Sequence, residues 1–174
     1  MAVARGYIGV KEAAGAADNP QVLAFWDAAD GDKDSKLNLA AHDSSPWCAA
    51  YVSAVLEEAG IRSARTGYSL NYNTWGEKLD GPAVGAVVVF SREDPKQPGV
   101  KLGHVAFVVG RSKTNPKNLL ILGGNQRDMV NIMGKGTQTV LAYRWPKIIA
   151  KPSETGLESL PILADSGEIS SAEA

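Results

Sequence analysis

Apolar residues follow two different periods along the chain, and the change between them divides it. Between residues 19 and 60 they recur at helical spacing. Asp18 or Asn19 can cap a segment that opens on Pro20, carries Val22, Leu23, Phe25 and Trp26, and ends at Asp30-Gly31. A second helix is predicted with Ser45 as N-cap, Pro46 at its first position and Gly60 as its stop. Its stripe, Cys48, Tyr51, Val52, Val55, Leu56 and Ala59, follows one helix face, so Cys48 begins the buried side. After Pro82 the signal becomes short β-branched runs separated by Gly, Pro and Asn: Ala86–Ser91, His104–Gly110, Asn118–Leu122, Met129–Ile132 and Val140–Trp145. Helices first and an antiparallel meander of about five strands afterwards predict an α+β fold with the helices on one face of the sheet.

Composition narrows the classes. The 174 residues are 44% apolar and 21% charged, which suits one soluble domain. Eighteen basic and nineteen acidic residues leave a net charge of -1, a weak field for nucleic acid or an anionic membrane. No apolar stretch approaches the roughly 20 residues needed to span a bilayer, so no membrane insertion is expected. The N-terminus lacks the apolar core of a secretory signal. A lone cysteine excludes a disulfide framework and a multi-cysteine metal site. Residues 151–174 hold one base and five acids among Ser, Glu, Gly and Pro. They read as an acidic, mostly disordered tail, with Leu157–Leu163 able to dock, behind a single domain over residues 1–150.

Three features carry chemistry. Cys48 falls at the third position of its predicted helix, where free N–H groups and the positive end of the dipole favour a thiolate; the competing reading is a small buried hydrophobe. His104 opens a strand beside Gly103, well placed to meet a helix N-terminus, whereas His42 lies in a loop. Gly123-Gly124-Asn125-Gln126 follows a strand directly, and the Asn125 amide oxygen can hold the second nitrogen of a basic imidazole; the same string also reads as a plain turn. Asp43, Ser44 and Tyr68 are polar candidates for a cleft, with Trp47, Tyr72 and Trp75 as its apolar walls. Asp30, Asp32, Asp34, Lys36 and Asn38 fall at ligand positions of an EF-hand-like loop. Ser35 replaces the loop glycine and Ala41 the twelfth-position glutamate, so a structural Ca²⁺ and a solvated acidic loop both fit.

Ser-Pro-Trp-Cys-Ala-Ala-Tyr-Val (45–52), Gly-Ala-Val-Val-Val-Phe (85–90), Gly-His-Val-Ala-Phe-Val-Val-Gly (103–110), Leu-Gly-Gly-Asn-Gln (122–126) and Leu-Ala-Tyr-Arg-Trp-Pro (141–146) together resemble the successive blocks of papain-like phage and bacterial cell-wall hydrolases related to CHAP and NlpC-type domains. The resemblance runs from about residue 7 to 147. It implies a papain-like fold, Cys48 as nucleophile, His104 as base and Asn125 as the residue orienting the imidazole. CHAP domains often carry a glutamate two positions earlier, which here is Gly123. Some carry a calcium loop shortly before the cysteine, which would make the Asp30 loop structural, since the thiol needs no cofactor.

The expectation is an endolysin-type cysteine endopeptidase, monomeric, acting on bacterial peptidoglycan at an amide of the stem peptide or cross-bridge. It would wait in the host cytoplasm until lysis or a secretion machine releases it to the wall. An N-acetylmuramoyl-L-alanine amidase would use the same chemistry. A non-catalytic calcium-dependent wall-binding or virion module, and a deamidase or transglutaminase-like toxin, are the alternatives from other classes.

Overall fold

A computed structural model describes residues 1–29, 42–94 and 97–165. It is α+β, with α1 (Ala2–Gly6), α2 (Pro20–Phe25) and α3 (Cys48–Glu58) ahead of β1 (Glu77–Leu79), β2 (Val87–Asp94), β3 (Gln97–Ser112), β4 (Asn118–Gly123), β5 (Asn131–Gly136), β6 (Val140–Trp145) and β7 (Ile162–Leu163). Short 3-10 turns at Trp26–Ala28, Ser69–Thr74 and Leu157–Ser159 complete the elements. Among the described residues no helix is long and apolar enough to cross a membrane. The Asp30–Asn38 loop lies outside the described residues.

The helix ends follow the chain's capping chemistry, with one correction. Asn19 Oδ1 accepts the Gln21 amide at 2.8 Å and Pro20 holds the first helical position of α2, as predicted. Helix α3 starts at Cys48, not at Pro46, and has no side-chain cap at Trp47. The reason lies upstream. The Asp43 carboxylate accepts the amides of Ala13 and Asn19 at 2.6 and 2.8 Å, which ties this stretch to the N-terminal segment and keeps it out of the helix. Gly60, at φ +74, ends α3 where expected.

The sheet has seven strands instead of about five, in the order β1-β6-β2-β3-β4-β5, with β7 beside β3. From β2 to β5 it is the expected antiparallel meander. Strand β6 departs from that pattern by returning across the sheet to pair with β2, and β1 extends the edge beyond it. The stretch read as Met129–Ile132 becomes a strand only from Asn131, because Val130 is engaged by the N-terminal segment: its N–H donates to Val10 O at 2.7 Å, and its carbonyl accepts the Gly9 amide at 2.9 Å.

Alternation along the strands builds two cores. On one face Val87, Val89, Val105, Phe107, Leu120 and Leu122 pack under α3, with Phe25, Trp47 and Tyr51. Here Phe25 stacks on Trp47 at 5.9 Å and meets Tyr51 edge-on at 5.5 Å. The other face gathers Val88, Phe90, Ala106, Val108, Leu119 and Ile121 with Leu160. That face is concave: Lys135 Nζ on β5 stands 5.0 Å from the Phe90 ring centroid on β2, although β3 and β4 lie between those strands in the sheet.

Residues 151–165 are more ordered than their composition suggested. Leu157–Leu163 docks, with β7 parallel to the end of β3 and Leu160 buried in the concave core. Asp165 accepts from Ser112 Oγ at 2.6 Å and from the Thr114 hydroxyl. The seven residues Leu157–Leu163 are enough to cover part of one apolar face, which is why overall acidity is a poor guide to the order of this segment.

Candidate active site

Cys48, His104, Asn125 and Gln126 line one cavity of about 670 Å³, together with Pro46, Tyr68, Ser69, Arg92, Arg127, Asp128, Met133 and Lys135. Strands β2, β3 and β5, the turn after β4 and the start of α3 all contribute to its wall. Cys48 belongs to the helix-covered core, whereas His104 alternates with Val105 onto the concave face, opposite Phe90 in register and stacked on its ring at 6.4 Å.

As the first residue of α3, Cys48 has an N–H without an intrahelical partner. Burial pushes its thiol up from the ordinary range, while the backbone amides of Val105, Ala49 and Cys48 itself pull it back. The thiolate expected from helix placement alone is therefore opposed by desolvation.

The imidazole is held by Gln126, and not by Asn125 as expected. His104 Nε2 lies 3.0 Å from Gln126 Oε1. The amide of Gln126 can face only one way, because its Nε2 lies 2.7 Å from the Asn131 carbonyl and 3.0 Å from Asn131 Oδ1, both acceptors. Its oxygen must then accept from the ring, so His104 carries its proton on Nε2 and keeps the Nδ1 lone pair. Asn131 is fixed in turn by donating to the Gln126 carbonyl at 2.8 Å. Asn125 instead takes a left-handed turn conformation at φ +53, one that asparagine tolerates better than most residues.

This loop is strained and braced. Arg127 and Asp128 also have positive φ, +56 and +62. Asp128 O accepts the Glu12 amide at 2.9 Å, and Gln126 N donates to Met129 O at 3.0 Å. The two glycines before it are obligatory for space: a Cβ on Gly124 would come within 2.5 Å of the Trp47 ring, and one on Gly123 within 2.9 Å of Ala106.

His104 is pushed down to about 4, chiefly by desolvation; the Gln126 hydrogen bond opposes this, and the charges of Lys135 and Arg92 add to it. At neutral pH both the thiol and the imidazole rest uncharged.

Of the expected cleft residues only Tyr68 lines the cavity. Asp43 is the N-terminal staple described above. Trp47 is fully buried, and its Nε1 donates to Glu12 Oε1 at 2.8 Å. Tyr72 is equally buried against Ser53, and Trp75 Nε1 donates to Arg62 O at 3.0 Å. Among the described residues no group of three or more His, Cys, Asp or Glu side chains could hold a metal. Residues the sequence left unnoticed are Gln126, Asn131, Arg92 and Lys135; Gln126 had a signal, being the second amide in the same Gly-Gly-Asn-Gln string.

The CHAP domain family model matches residues 40–125, a span that holds Cys48, His104 and Asn125 and stops one residue short of Gln126. No curated protein and no solved structure matches the chain.

Proposed function

Because the chain belongs to the CHAP domain family over residues 40–125, we propose that it is a cysteine-dependent peptidoglycan hydrolase of endolysin type, which cuts an amide of the stem peptide or cross-bridge through an acyl-enzyme. The observation that carries this reading is the tautomer lock: Gln126 leaves the His104 Nδ1 lone pair available in the cavity that Cys48 also lines.

In this mechanism His104 Nδ1 takes the Cys48 proton as sulfur attacks the amide carbonyl, so charge develops only with bond formation. The Cys48 N–H stabilises the oxyanion of the tetrahedral intermediate. The imidazolium then protonates the leaving amine, and the C–N bond breaks to leave a thioester. Water, deprotonated by His104, attacks that thioester; the acid leaves and the thiol is regenerated.

The test is turbidity loss and fragment mass spectrometry on purified peptidoglycan, comparing wild type with Cys48→Ala. New amine termini released only by the wild type support the reading, and their masses separate an endopeptidase from an N-acetylmuramoyl-L-alanine amidase. A folded wild type inert on several wall chemotypes overturns it.

A further inference from the structure

Among the cavity side chains that the proposed reaction leaves without a role are two cations whose charges His104 feels. Arg92 on β2 and Lys135 on β5 both line the cavity that holds Cys48 and His104. Among the described residues neither is engaged in an ion pair. A half-buried ammonium without a counter-ion is costly, and burial together with the nearby Arg92 charge holds Lys135 below the ordinary lysine range. Lys135 is kept in place by the Phe90 ring, 5.0 Å from its Nζ, and the same ring stacks on His104. Aliphatic packing does not explain two convergent cations; an anionic ligand does. Asp128, the described carboxylate in the cavity wall, is tied to the N-terminal segment through its backbone carbonyl, which accepts the Glu12 amide, and Glu12 feels its charge.

We propose that Arg92 and Lys135 form a carboxylate-binding subsite, so that the enzyme selects a peptide with a free carboxylate beside the scissile amide. The inference rests on the hydrolase reading for its substrate, but the subsite is a matter of binding and is testable without turnover. A planar carboxylate can accept from both groups, and charge-assisted bonds of this kind are stronger than neutral ones. Its negative charge would also offset the two cations that hold His104 down. The charged and titratable groups that share the cavity with the imidazole are these two, the Cys48 thiol, Tyr68, Arg127 and Asp128.

The experiment uses two matched probes: a stem peptide with free carboxylates, and the same peptide with each carboxylate converted to the carboxamide. Calorimetry on Cys48→Ala is expected to show about tenfold or greater preference for the carboxylate form, falling to near unity when Arg92→Gln and Lys135→Gln are added. By NMR, the His104 imidazole should titrate at higher pH with the carboxylate peptide bound than with the carboxamide. Lys135→Arg should retain the preference, which separates lost charge from lost packing should the glutamine variants fold poorly. Equal binding of the two probes, or a preference that survives loss of both charges, overturns the subsite. Wild type that binds the carboxylate peptide selectively but cuts neither probe keeps the subsite and overturns the hydrolase reading.

Discussion

The two faces of the sheet are built differently and contribute different halves of the site. The helix-covered face is closed by large rings, Phe25, Trp47 and Tyr51, and supplies the thiol. The concave face holds Phe90 among smaller aliphatic side chains, is covered by a docked C-terminal segment, and supplies the imidazole with its polar neighbours Gln126, Asn131 and Lys135. Adjacent residues of one strand, His104 and Val105, point to opposite faces of the sheet, and His104 meets Cys48 of the helix-covered core in one cavity. The proposed nucleophile and base need not share a core; they need a common edge.

The largest expected effect tests which amide serves that edge. Gln126→Leu removes the acceptor on His104 Nε2 and is expected to cut kcat by about 10²- to 10⁴-fold, the range seen when an imidazole loses its orienting group. Asn125→Gly, which suits the left-handed turn, should cost far less. Steady-state kinetics on a defined peptide decides, and the opposite ranking would return the orienting role to Asn125.

Next come the two packings. Phe25→Ala leaves a ring-sized void beneath α3 and is expected to cost about 3 to 5 kcal/mol, against about 2 to 3 kcal/mol for Leu160→Ala, whose segment can relax into the space. Urea denaturation measures both; equal losses would mean that the docked segment is as rigid as the helix face.

A smaller effect concerns pH. Since folding holds His104 at about 4, below the ordinary 6.5, the folded chain binds fewer protons than the unfolded one between those values. The contribution is present above pH 6.5 and is lost as pH falls toward 4. Melting temperature should therefore decline across that window, and less steeply in His104→Gln. Finally, Tyr51→Phe deletes the bond from its hydroxyl to Ala4 O, 2.8 Å, and should cost about 1 kcal/mol in the same urea experiment.

What the sequence disclosed follows from where its signals are local. The Asn19-Pro20 cap, the α3 stripe and the runs of β2, β4 and β6 are encoded within a few residues and appear close to their expected places, whereas β3 begins at Gln97, ahead of the expected His104, and β5 at Asn131. The start of α3 was misread because the amides that capture Asp43 come from residues 13 and 19, far upstream. Strand β1, three residues with two charges, exists by virtue of its register against Tyr143–Trp145 and has no pattern of its own. In the site, residue types located Cys48 and His104, but the choice between Asn125 and Gln126 turned on one backbone angle. Asn125 takes a positive φ in the turn, and it is the next side chain, Gln126, that meets the imidazole. The cations were invisible for a related reason: Arg92 and Lys135 lie 43 positions apart and converge only because the sheet curls.

The clasp between Asp165 and Ser112 has a practical side. Ser112 closes the far end of β3, eight residues from His104, which at about 3.3 Å per residue is roughly 26 Å along the strand. Cargo attached directly to Asp165 in place of residues 166–174, whether an affinity handle, a fluorophore or a wall-targeting module, would start that far along the strand from His104 and is expected to leave entry of a polymeric substrate unobstructed.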